Sequence, residues 1–315
     1  MTLTELRYAI ALAETKHFGH ASAMCNVSQP TLSIAIKKME AELGVQIFER
    51  TTNTTLLTRT GVKIIAQAHK VLEATTVIKD IAVSGKNELI APLHIGAIFT
   101  ISAFLFPNFV SPLQKSAPDM PLIFEEGYTE QLRSRLRKGE LDVIIVALPF
   151  EEPDVVVQPL FDEPFIVALP SNHPIAQRSS IKAEELAKEH ILLLGQGHSF
   201  RDQVIKAIPN INQYHNTTVT SDEDSEGNSL ETLCTMVATG LGISILPQSV
   251  TKAPNFIDAN LTAVPLHGEN AKRRVVLAWR ASFPRHQAID AVRNAIFISH
   301  NISPNSRTIP ELAFD

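Results

Sequence analysis

The stretch "LLGQGHSFRDQVIKAIP", Leu193 to Pro209, brings His198, Ser199 and Asp202 within five residues. These are the side-chain types from which a serine hydrolase builds nucleophile, base and orienting acid. A hydrolase serine, however, stands on a tight strand-to-helix turn of the form G-x-S-x-G, and its histidine and acid arrive from distant parts of the chain. "GQGHSFRD" has neither property. The local alternative is a helix start: Gly195 and Gly197 permit a turn, and Ser199 or Asp202 satisfies the free N–H groups of the first helical turn. No catalytic residue is assigned, and serine hydrolysis is kept as a distant alternative. The two cysteines, Cys25 and Cys234, are too few for a disulfide framework and lack zinc-site spacing. Both sit among apolar residues and read as small core side chains. No metal or cofactor is expected.

The elements that must position any site divide into a front and a back. A chain of 315 residues, 44% hydrophobic, exceeds what one core supports, so two or three folded domains are expected. No apolar run reaches the length of a membrane helix, and "MTLTELRYAIALAETKHFG" carries charges where a signal peptide needs an apolar stretch. A cytoplasmic protein with no membrane partner follows. Net charge is −5, yet residues 1–90 hold 10 Lys/Arg against 8 Asp/Glu, so the front is the half suited to a polyanion.

Three helices fit into the first 45 residues. Leu3, Leu6, Ile10 and Ala13 recur at helical spacing, "KHFGHASAMCNV" gives a short second helix, and "SQPTLSIAIKKMEAELG" gives a third. In the third, Ser28 is the expected N-cap, Pro30 sits in the first turn where a missing N–H is harmless, and Gly44 ends the run. Leu32, Ile36, Met39 and Leu43 form its buried stripe, leaving Gln29, Thr31, Ser33, Ile34, Lys37 and Lys38 on the outer face. Hydroxyls and the Gln29 amide suit base edges, Ile34 a thymine methyl, and the lysines phosphates. "VQIFER" then reads as a short strand with Ile47 and Phe48 inside and Arg50 at its exit. "TTNTTLLTRTG" supplies a turn and a second strand, which makes a winged helix-turn-helix.

From Thr60 to Ser84 a long helix carries Ile64, Ala68, Val71, Thr75, Ile78 and Ala82 in a heptad rhythm that suits pairing with a second copy. "GKNELIAP" breaks it as a linker. Beyond, strand-like runs at "LHIGAIF", "PLIFEE", "LDVIIVAL", "PFIVALP", "HILLLG" and "GISILP" alternate with helical segments, the pattern of parallel sheets covered by helices. The fold class is therefore α/β behind an all-α winged helix-turn-helix domain.

The order of "FGHASAMCNVSQPTLSIAIKKMEAELGVQIFERT", a threonine-glycine entry into a long helix, and an α/β remainder resembles the LysR-type transcriptional regulators. "MTLTELRY", "GELDVIIVALPFEEP", "GHSFRDQV" and "SLETLCTMVATGLGISILP" resemble its peroxide-sensing OxyR branch. The resemblance implies a periplasmic-binding-protein-like regulatory part of two α/β subdomains, with crossings near Glu163 and Leu266 and an effector site between them. The implied divisions are 1–59 for DNA binding, 60–90 for the dimerisation helix and hinge, 91–163 with 267–301 and 164–266 for the subdomains, and a tail at 302–315. Implied DNA-contacting residues are Ser28, Gln29, Pro30, Thr31, Ser33, Lys37 and Arg50, on an inverted-repeat operator. Dimers through the 60–84 helix, tetramers, RNA polymerase contact and a small effector or peroxide are the implied partners.

The resemblance also exposes a departure. The branch carries a reactive cysteine where this chain has Ser199 and its partner cysteine where it has Ile208. Serine's hydroxyl stays protonated near neutral pH and has no thiolate chemistry, so the known redox switch is absent. A serine substituted by design is one explanation and natural divergence another, and isoleucine at 208 points to the second. Thr100, Thr129, His198 and Asp202 match positions lining the branch's effector cleft; both threonines could equally be helix caps. Were a cysteine restored at 199, His198 and Arg201 would be expected to lower its pKa. The chain then reads as an OxyR-like regulator of oxidative-stress genes, with a metabolite-responsive regulator using the same cleft as the alternative.

Overall fold

Thr2 opens the first helix, α1 (Leu3–Thr15), with a reciprocal cap: its hydroxyl accepts from the Glu5 N–H while its own N–H donates to the Glu5 carboxylate at 2.7 Å. His17 caps α2 (Phe18–Met24) in one direction, its Nδ1 accepting from the N–H groups of Gly19 and His20. Helix α3 (Gln29–Leu43) starts at the Ser28 cap, tolerates Pro30 in its first turn and stops at Gly44 in the left-handed region, φ +68°. Leu32, Ile36 and Met39 are fully buried among Leu6, Ile10 and Leu12 of α1. Leu43 is 38% exposed. The last turn of α3 overruns the small core, so the expected stripe is one residue shorter.

This computed structural model describes residues 1–50, 55–84, 88–186, 189–208, 229–303 and 309–312. Strands β1 (Phe48–Arg50) and β2 (Thr55–Leu57) pair antiparallel, while the expected turn at 51–54 lies outside the described residues. Ile47 and Phe48 are buried as expected, and Glu40 Oε1 accepts both of their N–H groups. Helix α4 (Arg59–Ser84) begins so close to β1 that a Cβ on Gly61 would stand 2.1 Å from the Ile47 carbonyl oxygen. Only glycine fits there. The heptad seam divides in two: Ala68 is buried and Ile64 packs against the helix-turn-helix core, whereas Val71 and Ile78 are 41% and 66% exposed. The side chain of Ala82 lies outside the described residues.

Two compact units result, Met1–Gly85 with Arg137–Glu140, and Lys86–Leu136 with Leu141–Asp315. The second runs β3 (Leu93–Ile98), α5 (Phe99–Ser116), β4 (Leu122–Gly127), α6 (Thr129–Arg137) and β5 (Val143–Ala147). Strand β6 (Val155–Pro170), two short strands β7 (Ile181–Lys182) and β8 (Ile191–Leu192), and α7 (Ser199–Ala207) follow. The described chain ends with α8 (Leu230–Ala238), β9 (Ile243–Pro247), α9 (Pro254–Asp258), β10 (Leu261–His267), β11 (Lys272–Arg280) and α10 (His286–Ser299).

Strand β3 pairs parallel with β4 and β5, and β8 with β9, as the βα alternation predicts. The centre is antiparallel instead. β11 runs against both β5 and residues 155–164 of β6, while residues 165–170 of β6 run against β9 and β10. The chain crosses on one 16-residue strand and must return beside it in the opposite direction, which sequence runs of apolar residues do not reveal. One hydrophobic core ends on β6 at Phe161 and a second begins at Phe165. Ile302 and Leu312, assigned to a tail, pack against the first core, and Glu311 bridges to Asp162. Among the described residues no helix is long and apolar enough to cross a membrane.

Candidate functional site

The outer face of α3 presents Ser28, Gln29, Pro30, Thr31, Ile34 and Lys37 to solvent, with Ser33 half-buried. Ser28 Oγ caps the helix through the Thr31 N–H at 3.3 Å and lies 2.8 Å from the Thr31 hydroxyl, so the first turn is fixed before anything binds. Lys38 departs from expectation. Its ammonium donates to Glu5 at 3.0 Å, which raises its pKa and lowers that of Glu5, so it braces α3 on α1. Arg50 closes β1 by its backbone, and its side chain lies outside the described residues.

In the second unit the quoted stretch does start a helix. Gly197 takes φ +91°, His198 is the N-cap position and Ser199 is the first residue of α7. The expectation that Ser199 caps that helix is overturned: no side chain caps α7, and Ser199 lies inside the helix, half-buried. Asp202 is exposed in the first turn, where its charge complements the helix dipole. No hydrogen bond joins the side chains of His198, Ser199 and Asp202 among the described residues, so a hydrolase relay is not assembled.

His198 instead belongs to an aromatic group. Its ring centroid lies 4.9 Å from Tyr128 and 6.1 Å from Phe99, and those two lie 5.3 Å apart. The three rings bring the N-terminal ends of α5, α6 and α7 together, three positive dipole ends facing one region. Burial pushes the His198 imidazole below its usual range and keeps it neutral at pH 7. Arg201 donates to the Leu194 carbonyl at 2.7 Å. A thiol at position 199 would therefore have a neutral imidazole as one neighbour, so of the two expected helpers only Arg201, whose guanidinium remains a cation while it donates to a carbonyl, brings positive charge.

Neither threonine is a cap. Thr100 is buried in the first turn of α5, where its hydroxyl and its carbonyl each accept from Arg273 at 2.8 Å. Thr129 Oγ1 is buried with no hydrogen-bond partner, and an unmet buried hydroxyl costs about 1–3 kcal/mol unless a ligand or water satisfies it. Phe99, Tyr128 and Arg273 were not singled out in the sequence, although the first two adjoin Thr100 and Thr129. Arg273 has a fully buried side chain: it donates to Glu163 at 2.8 Å, and its Cζ stands 5.1 Å from the centroid of Phe200.

Ile208 is the C-cap of α7 and is buried in the second core. Ser199 and Ile208 thus occupy opposite ends of the helix, about 13 Å apart along its axis at 1.5 Å per residue. Cys234 is buried, as expected, and desolvation pushes its thiol up to about 11. Cys25 is only half-buried, its thiol raised by desolvation and by the charge of Glu14. Among the described residues no group of three or more His, Cys, Asp or Glu side chains could hold a metal ion.

Comparison with known proteins matches both units. Residues 3–62 match the model of the bacterial regulatory helix-turn-helix proteins of the lysR family, and residues 86–297 match the LysR substrate binding domain. The DNA-binding transcriptional dual regulator OxyR of Escherichia coli is 36% identical over 94% of this chain and 95% of its own. The hydrogen peroxide-inducible genes activator of Haemophilus influenzae is 34% identical over 94% and 96%. A full-length Pseudomonas aeruginosa OxyR with aspartate in place of a cysteine is 48% identical, covers 98% of each chain and superposes with a TM-score of 0.70. A cysteine-to-serine mutant of Corynebacterium glutamicum OxyR, described as hydrogen peroxide-bound, is 31% identical with a TM-score of 0.61, over 95% of this chain and 92% of its own.

Proposed function

The chain belongs to the LysR family of transcriptional regulators, among its OxyR-like members, and from that membership we propose that it binds operator DNA to control peroxide-response genes without a cysteine switch. The observation that carries the DNA reading is the exposed, pre-capped face of α3 beside the β1–β2 wing. Ser28, Gln29, Pro30, Thr31 and Ser33 address base edges or the adjoining backbone, while Lys37 and Arg50 address phosphates. Residues 1–59 make this contact. The 60–84 helix pairs two copies through its exposed Val71 and Ile78, and residues 91–301 sense the effector and join dimers into tetramers that present a face to RNA polymerase.

At the sensing site the chemistry of Ser199 excludes oxidation to a sulfenic acid. The orphaned Thr129 hydroxyl and the three converging helix ends suit a small molecule rich in oxygen. Peroxide itself fits, held reversibly and without the covalent change that would reshape the DNA contact. The Corynebacterium mutant's description as peroxide-bound supports that reading by analogy.

Footprinting with and without peroxide tests both parts. Gln29→Ala and Ser33→Ala are expected to flatten sequence preference, and Arg50→Ala to weaken all sites alike and reduce the salt slope by about one. An Arg50→Ala effect confined to sequence preference would reject its phosphate role. The chain as it stands is expected to keep one footprint under peroxide. A peroxide-dependent footprint abolished by Cys25→Ser or Cys234→Ser would show that a cysteine senses after all.

A further inference from the structure

A pocket of about 400 Å³ opens in the second unit between the start of β6, Trp279 near the end of β11 and the first two turns of α10. It contains none of the residues placed at the sensing site or on α3. Its volume lies at the lower end of the small-molecule range, about 300–1,000 Å³. Two buried nitrogens on its lining residues, Trp279 Nε1 and Arg293 Nε, have no hydrogen-bond partner among the described residues. Trp279 is only 8% exposed, so bulk water does not meet its N–H. Both groups are donors, and an unmet buried donor keeps its whole desolvation penalty until an acceptor reaches it.

The backbone beside them adds a third donor and an acceptor. Ala281 N–H donates to the Asp154 carbonyl at 2.8 Å, and Val156 and Gln158 stand opposite Trp279 and Leu277 in the same ladder. Alternation in an antiparallel pair then turns the N–H and C=O of Val157 away from β11, with Val155 and Pro159 on the same edge. Strands β9 and β10 take up only residues 165–170, and the C-terminal segment bonds at Asp162, so no described strand pairs with the edge at Val155–Pro159. Pro159, which has no N–H, suits such an edge.

Charge and shape narrow the occupant. Arg293 pairs with Asp290 at 3.0 Å, so apart from His286, exposed at the rim, the lining offers an ion pair rather than a net charge, and a neutral ligand is favoured. Val156, Val157, Pro159 and Ile289 supply apolar walls. One outward residue shows an N–H beside a C=O, the complement of a ring amide whose own N–H and C=O are cis. A second ring carbonyl serves the unmet side-chain donors.

We propose that this pocket is a second small-molecule site that takes a neutral planar heterocycle with a cis-amide edge, of the pyrimidinedione type. The ring amide pairs with Val157, and the second carbonyl accepts from Trp279 or Arg293. The binding claim stands apart from the DNA and peroxide reading.

Trp279 is the only tryptophan in the chain, so its fluorescence reports on this pocket directly. The full chain is titrated with uracil and thymine, and with 1,3-dimethyluracil as the control that lacks the ring N–H. Uracil and thymine are expected to change the emission saturably, with the same midpoint by calorimetry, and the dimethyl compound to bind at least several-fold more weakly. Trp279→Phe, read by calorimetry, is expected to weaken uracil about two- to tenfold, the worth of one neutral hydrogen bond. Val157→Pro, which removes an N–H that no ladder uses, is expected to weaken it by a similar factor while circular dichroism shows the fold retained. Absence of a saturable emission change with either compound overturns the proposal. So does dimethyluracil binding as tightly as uracil, or undiminished uracil binding in both variants.

Discussion

Replacing Glu163 with glutamine isolates what the buried ion pair contributes. Arg273 has no solvent-exposed side-chain surface and Glu163 next to none, and the pair links β11 to β6 where the chain crosses between cores. Glu163→Gln leaves the guanidinium buried without a counter-charge, a change that costs about 3–5 kcal/mol in comparable pairs. The two hydrogen bonds to Thr100 and the Phe200 ring remain, and the new amide oxygen still accepts one bond, so the lower figure applies. For a unit of more than two hundred residues, about 3 kcal/mol corresponds to a fall in Tm of roughly 6–12 °C. Urea and thermal unfolding followed by circular dichroism measure it. The double change Glu163→Leu with Arg273→Met removes both charges and is expected to recover most of the loss, because paired burial gains little over apolar packing. A single variant within about 1 kcal/mol of the parent, or a double variant less stable than the single, would refute the argument that an unpaired buried charge is what costs.

Gly61→Ala is expected to destabilise the helix-turn-helix unit by about 2 kcal/mol or more, since a Cβ there meets backbone at 2.1 Å, whereas Gly240→Ala, with open space around a positive φ, costs about 1 kcal/mol. Unfolding of the two variants compares them directly. Val71→Lys should leave the fold intact and cut dimer stability by several kcal/mol, because Val71 faces outward while Ala68 holds the core; light scattering that finds an unchanged oligomer rejects the pairing. Native-state alkylation at pH 8 should modify Cys25 before Cys234, whose thiol ionises only near 11. A thiol raised above its unfolded value of 9.0 is neutral in both states below that value, so its contribution is present there and is lost as pH climbs from about 9 to 11, read as falling stability. Treated with hydrogen peroxide, which oxidises the thiolate and leaves as water, Ser199→Cys alone should stop at a sulfenic acid or, with an added thiol, a mixed disulfide. Adding Ile208→Cys permits a disulfide only if α7 unravels, because about 13 Å of helix must shrink to the 4.4–6.8 Å that a disulfide spans between Cα atoms. Intact mass and loss of helical signal should therefore appear together.

What the sequence revealed is what neighbouring residues decide. The α3 boundaries were readable because the first-turn proline lies within one 15-residue element and the cap and terminal glycine flank it directly. Thr100 was not, because its partner Arg273 lies 173 positions away, and a hydroxyl beside a helix start is indistinguishable from a cap until that partner is placed. Leu43 was misjudged for the opposite reason: its spacing was right, but the core it should reach ends one turn earlier. The run "KRR" at 272–274 shows how a local signal misleads when its element is missed. As a charge cluster it reads as solvated surface, whereas on β11 successive side chains alternate sides. Lys272 and Arg274 therefore point one way and share Asp162, at 3.2 and 2.7 Å, while Arg273 points the other way into the protein and pairs with Glu163. Two acidic residues in a row on β6 meet three basic residues in a row on β11, each pair selected by the pleat. The crossing between the two cores is thus held by ion pairs on both faces of one two-stranded ladder; recognising β11 from its apolar continuation "VVLAW" would have put Lys272 and Arg274 on one face and Arg273 on the other, while their acidic partners follow only from the pairing with β6.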